Sequence, residues 1–161
     1  MIFLTVGTQL PFDRLVKVLD QVAPQLDEEV FGQIGAGSYV PMHFDAVRRL
    51  PPAEFNDRFS NARMIVGHAG IGTILSGQKF GKTLALMARR HALGEHRNDH
   101  QLATAAQVAR IDGVSIFDTA DELLDICLRR GAPSMQNIGS ATRQKLIDAL
   151  RDEILARSAR N

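Results

Sequence analysis

Cysteine occurs once, so no internal disulfide can form. Cys127 lies in an apolar helical stretch, and the plain expectation is a buried, inert thiol in a reducing compartment. An excess of one charge is also missing. The 19 Lys and Arg against 18 Asp and Glu leave a formal charge of +1, which offers no strong field for nucleic acid or an acidic membrane. No apolar run is long enough to cross a bilayer, and the opening MIFLTVGTQLPFDRL has no basic leader. Neither a signal peptide nor a transmembrane helix is expected, so any membrane contact should run through a partner. Repeats, low-complexity tracts and linkers are absent before residue 131. What remains is an ordinary globular composition, 45% apolar and 23% charged, over 161 residues. That is enough for one domain with one sizeable core.

Short apolar runs alternate with stretches of helical period. Strands are expected at 1–6, 29–35, 42–47, 63–68, 83–88 and 114–117. Helices are expected at 12–23, 52–62, 72–80, 98–111 and 119–130, the first with Leu15, Val18, Leu19 and Val22 on one face and the last with Thr119 and Glu122 as a capping box. A further amphipathic helix is expected at 140–158. The alternation predicts an α/β, Rossmann-like fold: a mostly parallel sheet flanked by helices. Such sheets bind ligands beyond the carboxyl ends of their strands. Gly7-Thr8, Gly35–Ser38, His68–Gly72 and Arg89–Asp99 should therefore meet on one rim.

The stretch HAGIGTILSGQKFGKT (68–83) offers two phosphate-binding fragments. Its Gly81-Lys82-Thr83 ending looks like a P-loop, but Ser76 stands where that motif needs its first glycine, and the fragment follows a helix instead of opening one. Gly81 reads better as a left-handed helix terminator. At the other end, Ala69, Gly70, Ile71, Gly72 and Thr73 form a strand–turn–helix junction whose amides and helix dipole could hold an anion. The bland alternative is a turn that needs glycine for its backbone alone. His68, just before the turn, reads either as a buried hydrogen-bonded residue or as a donor to phosphate or sugar.

The segment RRHALGEHRNDHQ (89–101) is the densest polar cluster. His96 and His100, four apart, could share a helix face, but no third metal ligand is spaced with them, so no metal is expected. Glu95, Asn98, Asp99 and Gln101 offer donors and acceptors suited to sugar or ribose hydroxyls. The alternative is a solvated helix cap with Asn98 or Asp99 at its start.

Taken together and in order, FLTVGTQLPFDRLV, GQIGAGSYVP, FSNARMIVGHAGIGTILSGQKFGK and GEHRNDHQLATA resemble the donor-binding C-terminal domain of family 28 GT-B glycosyltransferases, over roughly residues 1–128. The resemblance is strongest to the small subunits of split enzymes. These include the cytosolic subunit of the dolichol-linked N-acetylglucosamine transferase and the subunits of bacterial exopolysaccharide transferases.

The resemblance implies a UDP-sugar donor, no cofactor, no metal requirement and inversion at the sugar. It places nucleotide and diphosphate at Gly7, Thr8, Ser38, Gly70, Ile71, Gly72 and Thr73, the sugar at Glu95, His96, Asn98, Asp99 and Gln101, and the base near Leu50–Pro52. Arg89 or Arg90 could meet phosphate charge. The ribose contact falls at Ser76, where relatives often carry Glu. Residues 1–130 would form the donor-binding domain and 131–161 a helical extension able to contact a partner. The catalytic base is expected on a separate, membrane-associated acceptor-binding subunit, His68 being the weak candidate on this chain. The chain alone should bind donor and transfer nothing, in the cytoplasm at the inner membrane. The competing readings are a homo-oligomeric nucleotide-sugar sensor or scaffold, and an epimerase acting on UDP-sugars.

Overall fold

A computed structural model of the chain describes residues 1–129, 131–135, 144, 147 and 148. The strands are β1 (Ile2–Thr5), β2 (Val30–Gln33), β3 (Asp45–Val47), β4 (Met64–His68), β5 (Thr83–Met87) and β6 (Val114–Ile116). The helices are α1 (Asp13–Val22), α2 (Pro52–Asn61), α3 (Ile71–Phe80), α4 (His100–Val108) and α5 (Ala120–Leu128). All strands are parallel, in the order β3-β2-β1-β4-β5-β6. This is the expected Rossmann-like α/β sheet.

Its central strands are buried on both faces, which is why they read as unbroken apolar runs. On one face Ile2, Leu4, Val6, Met64, Val66, Ala85 and Met87 pack under α1 and α5. On the other, Phe3, Ile65, Leu84 and Leu86 pack under α2, α3 and α4. Successive residues of β1 thus feed two separate cores, as period-two alternation requires.

Local chemistry fixes the element ends. Thr119 and Glu122 form the expected capping box at the start of α5. Gly81 ends α3 at φ +60°, the left-handed terminator. Gly77 on α3 has a packing reason, because a Cβ there would meet Leu84 Cδ1 at 2.7 Å. Cys127 lies on the buried face of α5, and burial pushes its thiol up to about 11.

Most element ends shift by one or two residues from the sequence expectation, and two elements, β3 and α4, differ most. β3 is only three residues long, because its apolar content is thin and it lies at the sheet edge. α4 begins at His100, so His96 lies outside the helix and the two histidines share no helical face. Asp99 occupies the N-cap position without capping, its carboxylate instead accepting the His91 N–H.

Residues 133–135 return to the amino end of β5. Pro133 carbonyl accepts the Thr83 hydroxyl at 3.0 Å, and Met135 is buried in the core beside α4. The helix expected at 140–158 lies outside the described residues, apart from 144, 147 and 148. Among the described residues no helix is long and apolar enough to cross a membrane.

Candidate functional site

The strand order reverses between β1 and β4, and a cavity of about 550 Å³ opens beyond their carboxyl ends. A crevice is expected at such a reversal, since the connections leave in opposite directions there. Thr5 and Gln33, cross-strand neighbours at the ends of β1 and β2, belong to its wall. The β1–α1 loop contributes Gly7, Thr8, Gln9 and Leu10, and the β4–α3 junction His68 and Gly70–Thr73. Arg49, Leu50, Pro52 and Phe55 close one end, with His96 and Gln101 also on the wall.

The β4–α3 junction is built around the His68 ring. A Cβ on Gly7 would come within 2.8 Å of its Cε1, and one on Gly70 within 2.2 Å of its Nε2. Both positions therefore exclude side chains, and Gly7 also needs its φ of +78°. Burial first, and then the Arg89 charge, hold the His68 pKa down at about 4. The ring is neutral at pH 7, its Nδ1 3.4 Å from the Thr73 hydroxyl oxygen.

No side chain caps the head of α3. The Thr73 and Ile74 amides turn back to the Gly70 carbonyl at 3.1 and 3.2 Å. Those of Ile71 and Gly72 have no acceptor among the described residues. Both residues line the cavity, and a Cβ on Gly72 would meet nothing within 4 Å. Two free donors and the positive end of a ten-residue helix thus face open space. Ser76 lies one turn further along the same wall.

The polar segment divides. His96 and Gln101 reach the cavity wall; Glu95, Asn98 and Asp99 do not. Glu95 takes a bidentate pair from Arg14 at 2.7 and 2.9 Å and the Arg90 N–H at 2.9 Å. Burial works to raise its pKa, but these bonds hold it below the ordinary carboxylate value. Its oxygens anchor the loop to α1 and are not free for a sugar. Asn98 accepts the His100 N–H and lies 3.1 Å from His96 Nδ1. Asp99 is spent on His91. Ser38 is also withdrawn, bonded through its hydroxyl and its N–H to Asp13.

The two arginines are placed differently. Arg90 pairs with Asp118 at 2.8 Å. Arg89 is buried and donates to the carbonyls of Val6, Leu10, Pro11 and Glu95, its guanidinium 4.5 Å from the Phe12 ring centre. Burial pulls its pKa down to about 10, so it remains charged. It ties the β1–α1 loop in place and lends the wall its field, its two terminal nitrogens being taken by main-chain carbonyls.

Residues the sequence reading passed over include Thr5, Gln9, Leu10, Gln33, Arg49 and Phe55. One signal was present for Gln33: it is the polar break in the apolar run EVFGQIG. Among the described residues, the ionisable side chains on the wall are Arg49, His68, Arg89 and His96, with no carboxylate. Such a wall favours an anionic ligand. Among the described residues no group of three or more His, Cys, Asp or Glu is placed to hold a metal ion.

Solved structures with a similar fold include the glycotransferase of kitacinnamycin (19% identity, TM-score 0.61, 93% of this chain) and CalG4, the calicheamicin glycosyltransferase (17%, TM-score 0.57, 94%). The chain spans 38% of the length of each. No match is found among curated proteins. The model of the glycosyltransferase family 28 C-terminal domain matches residues 1–123. The crevice at the sheet reversal and the uncapped head of α3 thus belong to a member of the glycosyltransferase family 28 C-terminal domain family.

Proposed function

We propose that the chain is the donor-binding half of a UDP-sugar-dependent glycosyltransferase. It would work with an acceptor-binding, membrane-associated subunit on a lipid-linked saccharide, in exopolysaccharide or glycolipid synthesis. The carrying observation is the head of α3: two amides without partners among the described residues open into a wall on which those residues place guanidinium groups and no carboxylate. That arrangement suits a diphosphate. The sugar would extend toward His96 and Gln101, and the base toward Leu50, Pro52 and Phe55.

In an inverting transfer, an acceptor hydroxyl oxygen bonds to the anomeric carbon as its bond to the β-phosphate oxygen breaks. The electron pair leaves with UDP. The Ile71 and Gly72 amides and the dipole of α3 would stabilise the charge gathering on that leaving group, with no reorganisation at the moment of reaction. The hydroxyl proton needs a base within about 3 Å. His68, held near a pKa of 4, is a weak base at neutral pH. The base is therefore assigned to the acceptor-binding half.

Calorimetric titration with UDP, UDP-sugars and inorganic pyrophosphate tests the reading. UDP should bind, pyrophosphate should compete with it, and transfer should require the acceptor-binding partner. Absence of UDP binding at millimolar concentration would end the proposal.

A further inference from the structure

Gln33 is a polar residue on a buried strand, 3% exposed, beside Thr5 on the sheet face that Phe3, Ile65 and Leu86 fill. An all-parallel sheet covered on both faces calls for an apolar side chain there. The exception has a geometric consequence. Gln33 Oε1 accepts the Leu50 N–H at 2.8 Å. That main-chain group can only donate, so it fixes which end of the carboxamide is oxygen. The Nε2 group is left as a donor with no acceptor among the described residues, on a residue that lines the cavity.

Its surroundings specify what it meets. Arg49, Leu50, Pro52 and Phe55 make this a partly apolar stretch of the cavity wall. Two strand spacings, about 10 Å, separate β2 from the β4–α3 junction. A nucleotide with its diphosphate at α3 therefore brings its base, and not its phosphates, to Gln33.

We propose that Gln33 reads the nucleobase: its Nε2–H donates to the 4-oxo group of the ring, so the cavity selects uracil over cytosine. The two bases have nearly the same shape and differ at position 4, oxo against amino. A fixed donor bonds the first and opposes the second, leaving two donors facing each other. Through Leu50, the same carboxamide also holds the main chain that borders the base. This inference rests on the proposed nucleotide site, and the test separates the two.

The affinities of UDP, CDP and inorganic pyrophosphate are measured by calorimetry on the wild-type chain and on Gln33→Glu. The glutamate keeps an acceptor for Leu50 N–H and replaces the donor by an acceptor. Wild type should favour UDP over CDP by about tenfold or more, the worth of one good hydrogen bond. Gln33→Glu should bring the ratio to one or invert it. Pyrophosphate reports any general repulsion from the added charge, and thermal melting reports the fold. Gln33→Met, which removes the donor without adding charge, is the second variant and should also bring the ratio to about one. If UDP binds but neither variant changes the ratio, the assignment of Gln33 is wrong and the diphosphate site stands. If neither nucleotide binds the wild type, the diphosphate site falls, and this inference with it.

Discussion

Replacing Gly72 with leucine separates folding from ligand binding. A Cβ at this position meets no atom within 4 Å, so the larger side chain has room without disturbing the fold. Gly72 is the second residue of α3, and leucine is a better helix former by up to about 0.8 kcal/mol. The melting temperature should hold or rise by about 2 °C. Binding should move the opposite way. The side chain would occupy the space in front of the free Ile71 and Gly72 amides, where the diphosphate is proposed to lie. Two hydrogen bonds to a charged group are worth about 1.5–3 kcal/mol each. Their loss should weaken UDP at least about a hundredfold. Paired thermal melts and UDP titrations of Gly72→Leu read both quantities. A folded variant that binds UDP within about twofold of wild type would show that the phosphates do not sit at this helix end, and the reasoning would fail.

Three further outcomes follow from the packing and charge. Gly77→Ala drives a methyl into Leu84, so overpacking of about 1–3 kcal/mol should outweigh the helix-propensity gain and lower the denaturation midpoint; an unchanged midpoint would mean α3 can lift from β5 freely. His68 should confer a pH-dependent stability. Below pH 6.5 the unfolded chain protonates this ring, while the folded chain does not until about pH 4, so stability falls as pH drops through that window, by roughly 3 kcal/mol; chemical denaturation should show a flatter slope in His68→Asn, and equal slopes would contradict it. Arg89→Met should cost about 3 kcal/mol or more in urea denaturation, because it strands buried carbonyls of the β1–α1 loop; a loss under 1 kcal/mol would show that water replaces the guanidinium.

The strands and their order of appearance were readable because a doubly covered parallel sheet leaves a local mark: unbroken apolar runs such as Ile2–Val6 and Thr83–Met87. The turn at Gly70–Thr73 and the terminator at Gly81 were readable for a similar reason, each depending on residues a few positions apart. The polar segment 89–101 is less legible. It carries the charges of a binding loop, yet Glu95 is claimed by Arg14, and Arg89 by the Val6 carbonyl, 81 and 83 residues away. Nothing in local spacing records such partners. Ser38 is a similar case, its hydroxyl being taken by Asp13 across 25 residues. Gln33 is not legible in the sequence because a single polar residue in a strand has no period, and its meaning comes only from the cavity it borders.

The central claim is that the amides opening α3 hold a diphosphate. Amide chemical-shift mapping of the isotopically labelled chain during titration with UDP, and separately with inorganic pyrophosphate, tests it most directly. The Ile71 and Gly72 resonances should move downfield with both ligands, while Leu50 should move with UDP alone. Saturable UDP binding that leaves Ile71 and Gly72 in place would contradict the account.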